Sequence, residues 1–161
     1  MKPNIRVGYG YDVHALAEGV DFWLGGIKVP HTHGAFGHSD ADVLIHVICD
    51  ALLGAADMRD IGFHFSDKDP QYKGIDSKIL LERVVVLLDE AGWGIVNVDS
   101  TICLQEPKIG PYIDQMKTTL AKVMDLEVSD VAVKATTTEK LGFVGKKEGV
   151  SAHAVVLIYK K

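Results

Sequence analysis

The spacing of apolar and polar positions divides the chain into alternating strands and helices. Alternation predicts a strand over residues 5–14, and the apolar run 22–29, interrupted by Gly25 and Gly26, predicts a turn between two short strands. From Ser39 onwards apolar residues recur at helical spacing, and residues 39–42 resemble a capping box. Further patterns predict a helix over 76–91 ended by Gly92, a strand over 95–105, a helix over 109–124, and strands over 131–136 and 151–159.

This order of elements predicts a single α/β (α+β) domain over residues 1–161, with a mostly antiparallel or mixed sheet covered by helices on one face. The length of 161 residues suits one compact domain with a proper core. An apolar second face of the sheet would have to be buried against another surface. Self-association is the simplest way to bury it.

Composition and charge narrow the class of protein. Hydrophobic residues make up 47% and charged residues 24%, which excludes a disordered chain, and the net charge of −5 argues against binding to nucleic acid. The start of the chain lacks the apolar region of a secretory signal, and no stretch is apolar enough to cross a membrane. We therefore expect a soluble, cytoplasmic protein in which Cys49 and Cys103 are reduced core residues.

Asp12 and His14 are the first candidates for metal ligands. They lie two residues apart on one strand, so both side chains point to the same face and can reach one ion. His46 follows on the first helix, with Asp42 and Asp50 four residues to either side as carboxylates that could orient its ring. Three such ligands suit a tetrahedral zinc with an open fourth position, although an Asp-x-His pair also occurs by chance.

Two further segments carry candidate chemistry. The polar stretch 57–74 is long for a linker and indicates a functional loop. In the run 136–139, three threonines and Glu139 could hold phosphate oxygens and a hard cation, or could simply be a strand that ends in a turn. The sequence contains neither a Walker phosphate-binding loop nor the dinucleotide-binding glycine pattern.

Taken in order, these segments resemble the 2-C-methyl-D-erythritol 2,4-cyclodiphosphate synthase family over essentially the whole chain. The motifs that carry the resemblance are Asp12-Val13-His14, the runs 38–42 and 50–56, Asp60-Ile61-Gly62, Pro107-Lys108, and the run 134–143. The resemblance implies a homotrimer with its sheets facing inward and an active site between neighbouring subunits. It also implies conversion of 4-diphosphocytidyl-2-C-methyl-D-erythritol 2-phosphate into a cyclic diphosphate and CMP, in the non-mevalonate route to isoprenoid precursors.

The resemblance also assigns roles to residues at matching positions. Asp12, His14 and His46 would hold zinc, Glu139 would hold magnesium or manganese, and His38 and Thr137 would stabilise the transition state. The substrate-binding positions that it implies are Asp12, Val13, His14, His38, Ser39, Asp60, Ile61, Gly62, Phe65, Ser66, Asp67, Lys68, Asp69, Leu104, Gln105, Glu106, Pro107, Lys108, Ile109, Gly110, Thr136, Thr137, Thr138, Glu139, Phe143 and Lys146.

One position departs from the common family pattern. Lys146 and Lys147 stand where many members have Arg and then Gly, at a site linked to an isoprenoid diphosphate in the trimer cavity. Lysine keeps the positive charge of arginine but cannot form the two parallel hydrogen bonds of a guanidinium group. The difference therefore affects which ligand the trimer cavity would bind. No role follows for the four remaining histidines, which are His31, His33, His64 and His153.

Two other functions remain open from the residues alone. In a zinc-dependent phosphohydrolase the open position on the metal would activate water, and the product would be a linear phosphate. In a non-catalytic module that binds nucleotides or isoprenoid diphosphates, the metal ligands would be dispensable.

Overall fold

A computed structural model describes residues 4–161, so the first three residues of the expected domain lie outside the described part. Its main sheet is built from β1 (Ile5–Glu18), β4 (His33–Phe36), β5 (Trp93–Cys103), β6 (Val131–Thr136) and β7 (Gly149–Lys160). The strand order is β4-β1-β7-β5-β6, and every neighbouring pair is antiparallel except β5 and β6. The expected α/β fold with a mixed sheet is confirmed. A separate hairpin joins β2 (Phe22–Leu24) and β3 (Ile27–Val29) around Gly25 and Gly26, as predicted.

Three long helices cover one face of the sheet, and these are α1 (Val43–Ala55), α3 (Ser77–Glu90) and α4 (Ile113–Met124). The short α2 (Ile61–His64) contacts α1, and the single turn α5 (Gly142–Gly145) contacts β7. Three 3-10 turns, Pro70–Tyr72, Gly110–Tyr112 and Val128–Asp130, complete the connections. Helix α1 is almost entirely apolar and buried between the sheet and α3, so it forms the centre of the core.

Two glycines allow α1 to lie directly against β1. A Cβ atom at Gly8 would fall 1.9 Å from the carbonyl oxygen of Ala51, and one at Gly10 would fall 2.1 Å from that of Val47. Neither separation is possible for real atoms, so a side chain at either position would push the helix off the strand. This close approach brings His46, which precedes Val47, next to the metal-ligand candidates of β1.

Asp42 begins α1 and ties it to the β2–β3 turn. Its buried carboxylate accepts hydrogen bonds from the backbone N–H groups of Ile45, Gly25 and Gly26, at 3.1, 2.9 and 2.6 Å. Burial raises the pKa of this carboxyl, and the three donors partly offset that effect. Asp42 is therefore the N-cap of α1. The capping pattern predicted Ser39 at this position instead.

Several boundaries differ from those expected from the sequence. β4 and α5 were not predicted, and the stretch 57–74 is not a plain loop because it contains α2 and a 3-10 turn. The first strand continues to Glu18, where it pairs with β4. Both cysteines are free, but only Cys49 is a core residue; Cys103 is partly exposed at the end of β5.

The face of β1 away from the helices carries large apolar side chains in the open. Alternate residues of the strand, namely Ile5, Val7, Tyr9, Tyr11 and Val13, are all exposed, with Val7 at 66%. Val155 and Tyr159 on β7 are also exposed. The second face is therefore apolar, as the self-association argument requires. Among the described residues, no helix is long and apolar enough to span a bilayer.

Candidate active site

Asp12, His14 and His46 converge where the end of β1 meets the first turns of α1. The Asp12 Oδ2 atom lies 3.2 Å from His14 Nε2 and 3.2 Å from His46 Nδ1, and the two imidazole nitrogens are 3.0 Å apart. Each of the three side chains is partly buried. The sequence reasoning that placed Asp12 and His14 on one face of a strand is borne out by this geometry.

The chemistry of this donor set fits a divalent cation. Bonds of about 2.0–2.1 Å separate the ligands of a tetrahedral site by about 3.3 Å, close to the spacings of the three atoms here. Burial raises the pKa of Asp12, but hydrogen bonds from His14 and His46 outweigh it, so that the pKa lies well below its ordinary value. Asp12 is therefore an anion at neutral pH, which is the form that binds a metal.

The ring of His46 is oriented by hydroxyl groups. Its Nε2 atom lies 3.0 Å from Ser39 Oγ and 3.2 Å from Ser77 Oγ. The expectation that Asp42 or Asp50 would orient the ring is wrong. Both carboxylates accept backbone N–H groups instead, and Asp50 accepts that of Ile61 at 2.8 Å.

A cavity of about 370 Å³ opens beside the three metal-ligand candidates. Its polar lining includes His38, Ser39 and Asp67, and Phe65 forms part of its wall. His38 Nε2 lies 3.4 Å from the carbonyl oxygen of Asp69, which links the two loops at the rim. Several predicted substrate-binding residues thus share one cavity with the candidate metal ligands, and these are His14, His38, Ser39, Ile61, Gly62, Phe65 and Asp67.

Sequence reasoning missed three apolar residues of this cavity, Tyr72, Ile75 and Leu80. Tyr72 packs edge-on against Phe65, with ring centroids 5.5 Å apart. Tyr72 lies inside the stretch 57–74 that was predicted to be functional, and Ile75 and Leu80 follow it around the start of α3. They narrow the cavity and give it an apolar wall.

A second cavity, of about 260 Å³, collects seven more of the predicted binding residues. It is lined from the stretch after β5 by Leu104, Pro107, Lys108, Ile109 and Gly110, and from the end of β6 by Thr136 and Thr137. The predicted positions that line neither cavity are Asp12, Val13, Asp60, Ser66, Lys68, Asp69, Gln105, Glu106, Thr138, Glu139, Phe143 and Lys146. Thr136 pairs with Cys103, Cys103 with Ser151, and Ser151 with Val13. Three strand spacings therefore separate this cavity from the metal-ligand cluster, a distance of about 14 Å.

Glu139 lies in a tight turn just beyond β6. Thr137 Oγ1 donates to Glu139 Oε1 at 3.1 Å, and both Glu139 and Lys140 have positive φ, at 52° and 66°. Gln105 Oε1 accepts the backbone N–H of Lys140, so the turn is fixed to the stretch that lines the second cavity. The threonine run therefore ends in a constrained turn that presents a carboxylate.

The two lysines of the departing position lie close to this region. Lys147 pairs with Glu106 at 2.8 Å, and the ion pair lowers the pKa of that glutamate. Lys146 is exposed after α5. Of the unassigned histidines, His64 contacts the carbonyl oxygen of Met58 and His153 contacts the Tyr9 hydroxyl, and neither joins the metal-ligand cluster.

Fold and site together define an α/β protein with a candidate divalent-metal centre that opens into a cavity of small-molecule size. The model described as the YgbB family matches residues 5–159, and the chain belongs to that family. This confirms the resemblance stated from the motifs, and with it the expectation that the chain is an enzyme.

Named relatives agree over nearly the full length. Proteins named 2-C-methyl-D-erythritol 2,4-cyclodiphosphate synthase are 58% identical over 158 residues in Porphyromonas gingivalis and 61% identical over 157 residues in Parabacteroides distasonis. Each alignment covers 98% of this chain and 98% of the relative.

Solved structures show the same fold. The IspF of Plasmodium falciparum in complex with CDP superimposes with a TM-score of 0.86 at 32% identity, over 100% of this chain and 99% of that one. The bifunctional IspDF of Campylobacter jejuni gives a TM-score of 0.94 at 38% identity. That match covers 98% of this chain but only 42% of the bifunctional chain.

Proposed function

We propose that this chain converts 4-diphosphocytidyl-2-C-methyl-D-erythritol 2-phosphate into 2-C-methyl-D-erythritol 2,4-cyclodiphosphate and CMP, as a lyase of the non-mevalonate route to isoprenoid precursors. The observation that carries the proposal is the cluster of Asp12, His14 and His46 at the mouth of a cavity, in a chain about 58% identical to proteins named for this reaction. The reaction is an intramolecular phosphoryl transfer, in which the 2-phosphate oxygen attacks the β-phosphorus and CMP leaves.

The main obstacle to this reaction is repulsion between anionic groups. Two unit charges about 5 Å apart repel by roughly 3 kcal/mol at an effective dielectric near 20, and a phosphomonoester carries nearly two charges. Zinc held by Asp12, His14 and His46, and magnesium or manganese held by Glu139 and substrate phosphates, would supply positive charge and Lewis acidity when bound. The three-residue donor set supports this assignment of zinc.

The chain's own residues bind and orient the substrate. His38 faces the cavity beside the metal-ligand candidates, where its ring can donate to a phosphate oxygen. Thr137 and Glu139 share a hydrogen bond in the constrained turn, which places a hydroxyl beside a carboxylate. The attacking phosphate oxygen is already ionised near neutral pH, so no general base is needed and orientation supplies the remaining rate enhancement.

The second cavity suits the nucleotide end of the substrate. Leu104, residues 107–110 and the threonines at the end of β6 line it, and Lys108 contributes a positive charge. A related structure from Plasmodium falciparum is a CDP complex, which supports a nucleotide ligand for this fold. Residues 60–62 would contact the ribose, and residues 65–69 would approach the methylerythritol.

A homotrimer would bring the two cavities of different subunits together. Within one chain about 14 Å separates the two cavities, and the resemblance to the family implies a site shared between neighbouring subunits. Association with other copies of the chain would bury the exposed apolar strip of β1. We therefore propose a trimer with sheets inward, in which each active site combines the metal cluster of one subunit with the nucleotide cavity of its neighbour.

The trimer interior could also hold an isoprenoid diphosphate near Phe143 and Lys146. Phe143 is 41% exposed, and Lys146 offers a single positive charge, so binding would rest on a point charge rather than on a guanidinium fork. A cytoplasmic location remains a prediction from the sequence.

One incubation tests the reaction directly. The purified protein is mixed with substrate, with zinc and magnesium or with chelator, and CMP and the cyclic diphosphate are followed by mass spectrometry. We expect both products only with metal, and their loss in Asp12→Ala, His14→Ala and His46→Ala while the oligomer persists. A linear phosphate product would instead support a phosphohydrolase. Turnover retained in all three variants would refute the metal assignment, and binding without turnover would support a non-catalytic module.

A further inference from the structure

Ser77 is a fully buried serine with no role assigned to it in the proposed reaction. It is the first residue of α3, and its side chain lies behind the candidate metal ligand His46, on the side away from Asp12 and His14. Its hydroxyl lies 3.2 Å from His46 Nε2 and 2.5 Å from Asp40 Oδ1. A buried polar side chain in contact with both groups calls for an account of where each proton lies.

A metal held by Asp12, His14 and His46 would fix the tautomer of His46. Its Nδ1 atom faces Asp12 Oδ2 and His14 Nε2, so this nitrogen must offer its lone pair to a metal held by the three residues. The proton of a neutral imidazole then resides on Nε2, where it needs an acceptor. Ser39 and Ser77 provide the two hydroxyl oxygens within hydrogen-bonding distance.

Asp40 determines which way the Ser77 hydroxyl points. Asp40 Oδ1 accepts the Ser77 hydroxyl and the backbone N–H of Asp42, and Asp40 Oδ2 accepts the backbone N–H of Ser77 at 3.0 Å. With its own proton directed to this carboxylate, Ser77 Oγ has lone pairs free for the His46 N–H. The result is a chain of hydrogen bonds from Asp40 through Ser77 to His46.

We infer that Ser77 is a positioning residue of the metal centre: held by Asp40, it accepts the His46 Nε2 proton and so keeps Nδ1 directed at the metal. This inference rests on the proposed metal site. Partners of this kind usually contact the ligating histidine directly as a carboxylate or carbonyl, and here a serine stands between the carboxylate and the ring. Ser39 Oγ also lies within reach of His46 Nε2, at 3.0 Å, but Ser39 lines the open cavity, whereas Ser77 is fully buried and held by Asp40.

The experiment measures the metal affinity of Ser77→Ala against a matched control. Ser100 is also a buried serine, but its hydroxyl donates to the carbonyl oxygen of Ala132 on the sheet and contacts no metal ligand. Zinc dissociation constants are measured by competition with a chromophoric chelator, and the visible spectrum of the cobalt-loaded protein reports ligand geometry. We expect Ser77→Ala to bind zinc about 10–100-fold more weakly, with an altered cobalt spectrum. Ser100→Ala should match the wild type in both.

Stability of the metal-free proteins separates positioning from folding. Each variant loses one buried hydroxyl, so both should lose some resistance to urea, and only Ser77→Ala should lose metal affinity beyond that. If Ser77→Ala does not fold, Asp40→Asn tests the same chain of hydrogen bonds, because a neutral amide is a weaker acceptor for the Ser77 hydroxyl.

Unchanged zinc affinity in folded Ser77→Ala or Asp40→Asn would overturn the inference, as would an equal loss in Ser100→Ala. Failure of the proposed function is a separate result. It would appear as a wild-type protein that binds zinc but forms no cyclic diphosphate.

Discussion

Replacing Gly10 with alanine should both destabilise the fold and weaken the metal site. The added Cβ would lie 2.1 Å from the carbonyl oxygen of Val47 and 2.9 Å from its carbonyl carbon. These are backbone atoms of α1, so no side-chain rotation can relieve the clash. Ordinary contact requires at least 3.4 Å, which means that the helix and strand must separate by about 1 Å.

The size of the effect follows from overpacking at a buried contact. Forcing one extra carbon into a close-packed core costs about 1–3 kcal/mol, and for a chain of this length that lowers the melting temperature by about 3–10 °C. Because His46 precedes Val47, the same shift moves its Nδ1 atom away from Asp12 and His14. The three atoms now lie within 3.2 Å of one another, so a shift of about 1 Å should weaken zinc binding at least tenfold.

Gly54→Ala provides the matched control. Gly54 lies in the same helix, but nothing is within 4 Å of the Cβ that alanine would add. Gly54 is the second-last residue of α1, and replacing it with alanine should stabilise the protein by up to about 0.5–1 kcal/mol. Urea unfolding of the metal-free proteins, at equal protein concentration, and zinc competition assays give the two readouts. A Gly10→Ala variant as stable as the wild type, with unchanged zinc affinity, would refute the argument that this glycine sets the position of α1.

Three further predictions follow from individual contacts. Val7→Asp, on the apolar strip of β1, should convert the proposed trimer to smaller species in analytical ultracentrifugation, whereas Val86→Asp, 53% exposed on α3, should not. An intact trimer in Val7→Asp would contradict the inward-facing sheets. Asp42→Ala leaves three backbone N–H groups without their acceptor, so it should lower the free energy of unfolding by about 2–5 kcal/mol in urea titrations. A loss below about 1 kcal/mol would refute the role of Asp42 as their acceptor. Burial raises the pKa of Asp50, so its contribution to stability is present at low pH and is lost as pH rises from about 4 through the raised value. Asp50→Asn keeps an acceptor for Ile61 and should gain stability relative to the wild type across that pH range, and a difference that does not change with pH would exclude this effect.

Much of the fold was predictable because its long elements have clear periodicity. The strand over 131–136 matches β6, and the other long strands and helices differ from the predictions mainly at their ends. β4 was missed because its four residues, His33–Phe36, show no alternation and pair only through the unexpected extension of β1. The turn α5 was missed because Gly142–Gly145 has the composition of a loop.

The residues of the candidate site could be predicted from the sequence to different degrees, depending on whether local or tertiary contacts place them. Asp12 and His14 could be paired from strand geometry alone, whereas His46 could be added only from a family resemblance, because the contact between α1 and β1 decides its place. Ser77 could not be found at all. A serine at the start of a helix is usually interpreted as a residue that caps the helix. The contact between Ser77 and His46 depends on the hydrogen bond by which Asp40 holds the start of α3.

An acidic chain can bind the anionic substrate proposed for it if metal cations supply the positive charge that the cavity itself lacks. The described residues that line the first cavity include histidines and an aspartate but no lysine or arginine, and Asp12 is held as an anion beside them. A phosphate group would be repelled from such a cavity unless cations neutralised both partners. Removal of metal should therefore weaken binding of the phosphate end of the substrate more than binding of a nucleoside, for which we propose the second cavity beside Lys108. Calorimetric titration of CDP and of cytidine, each with and without chelator, measures this difference. An equal effect of chelator on both ligands would contradict the argument.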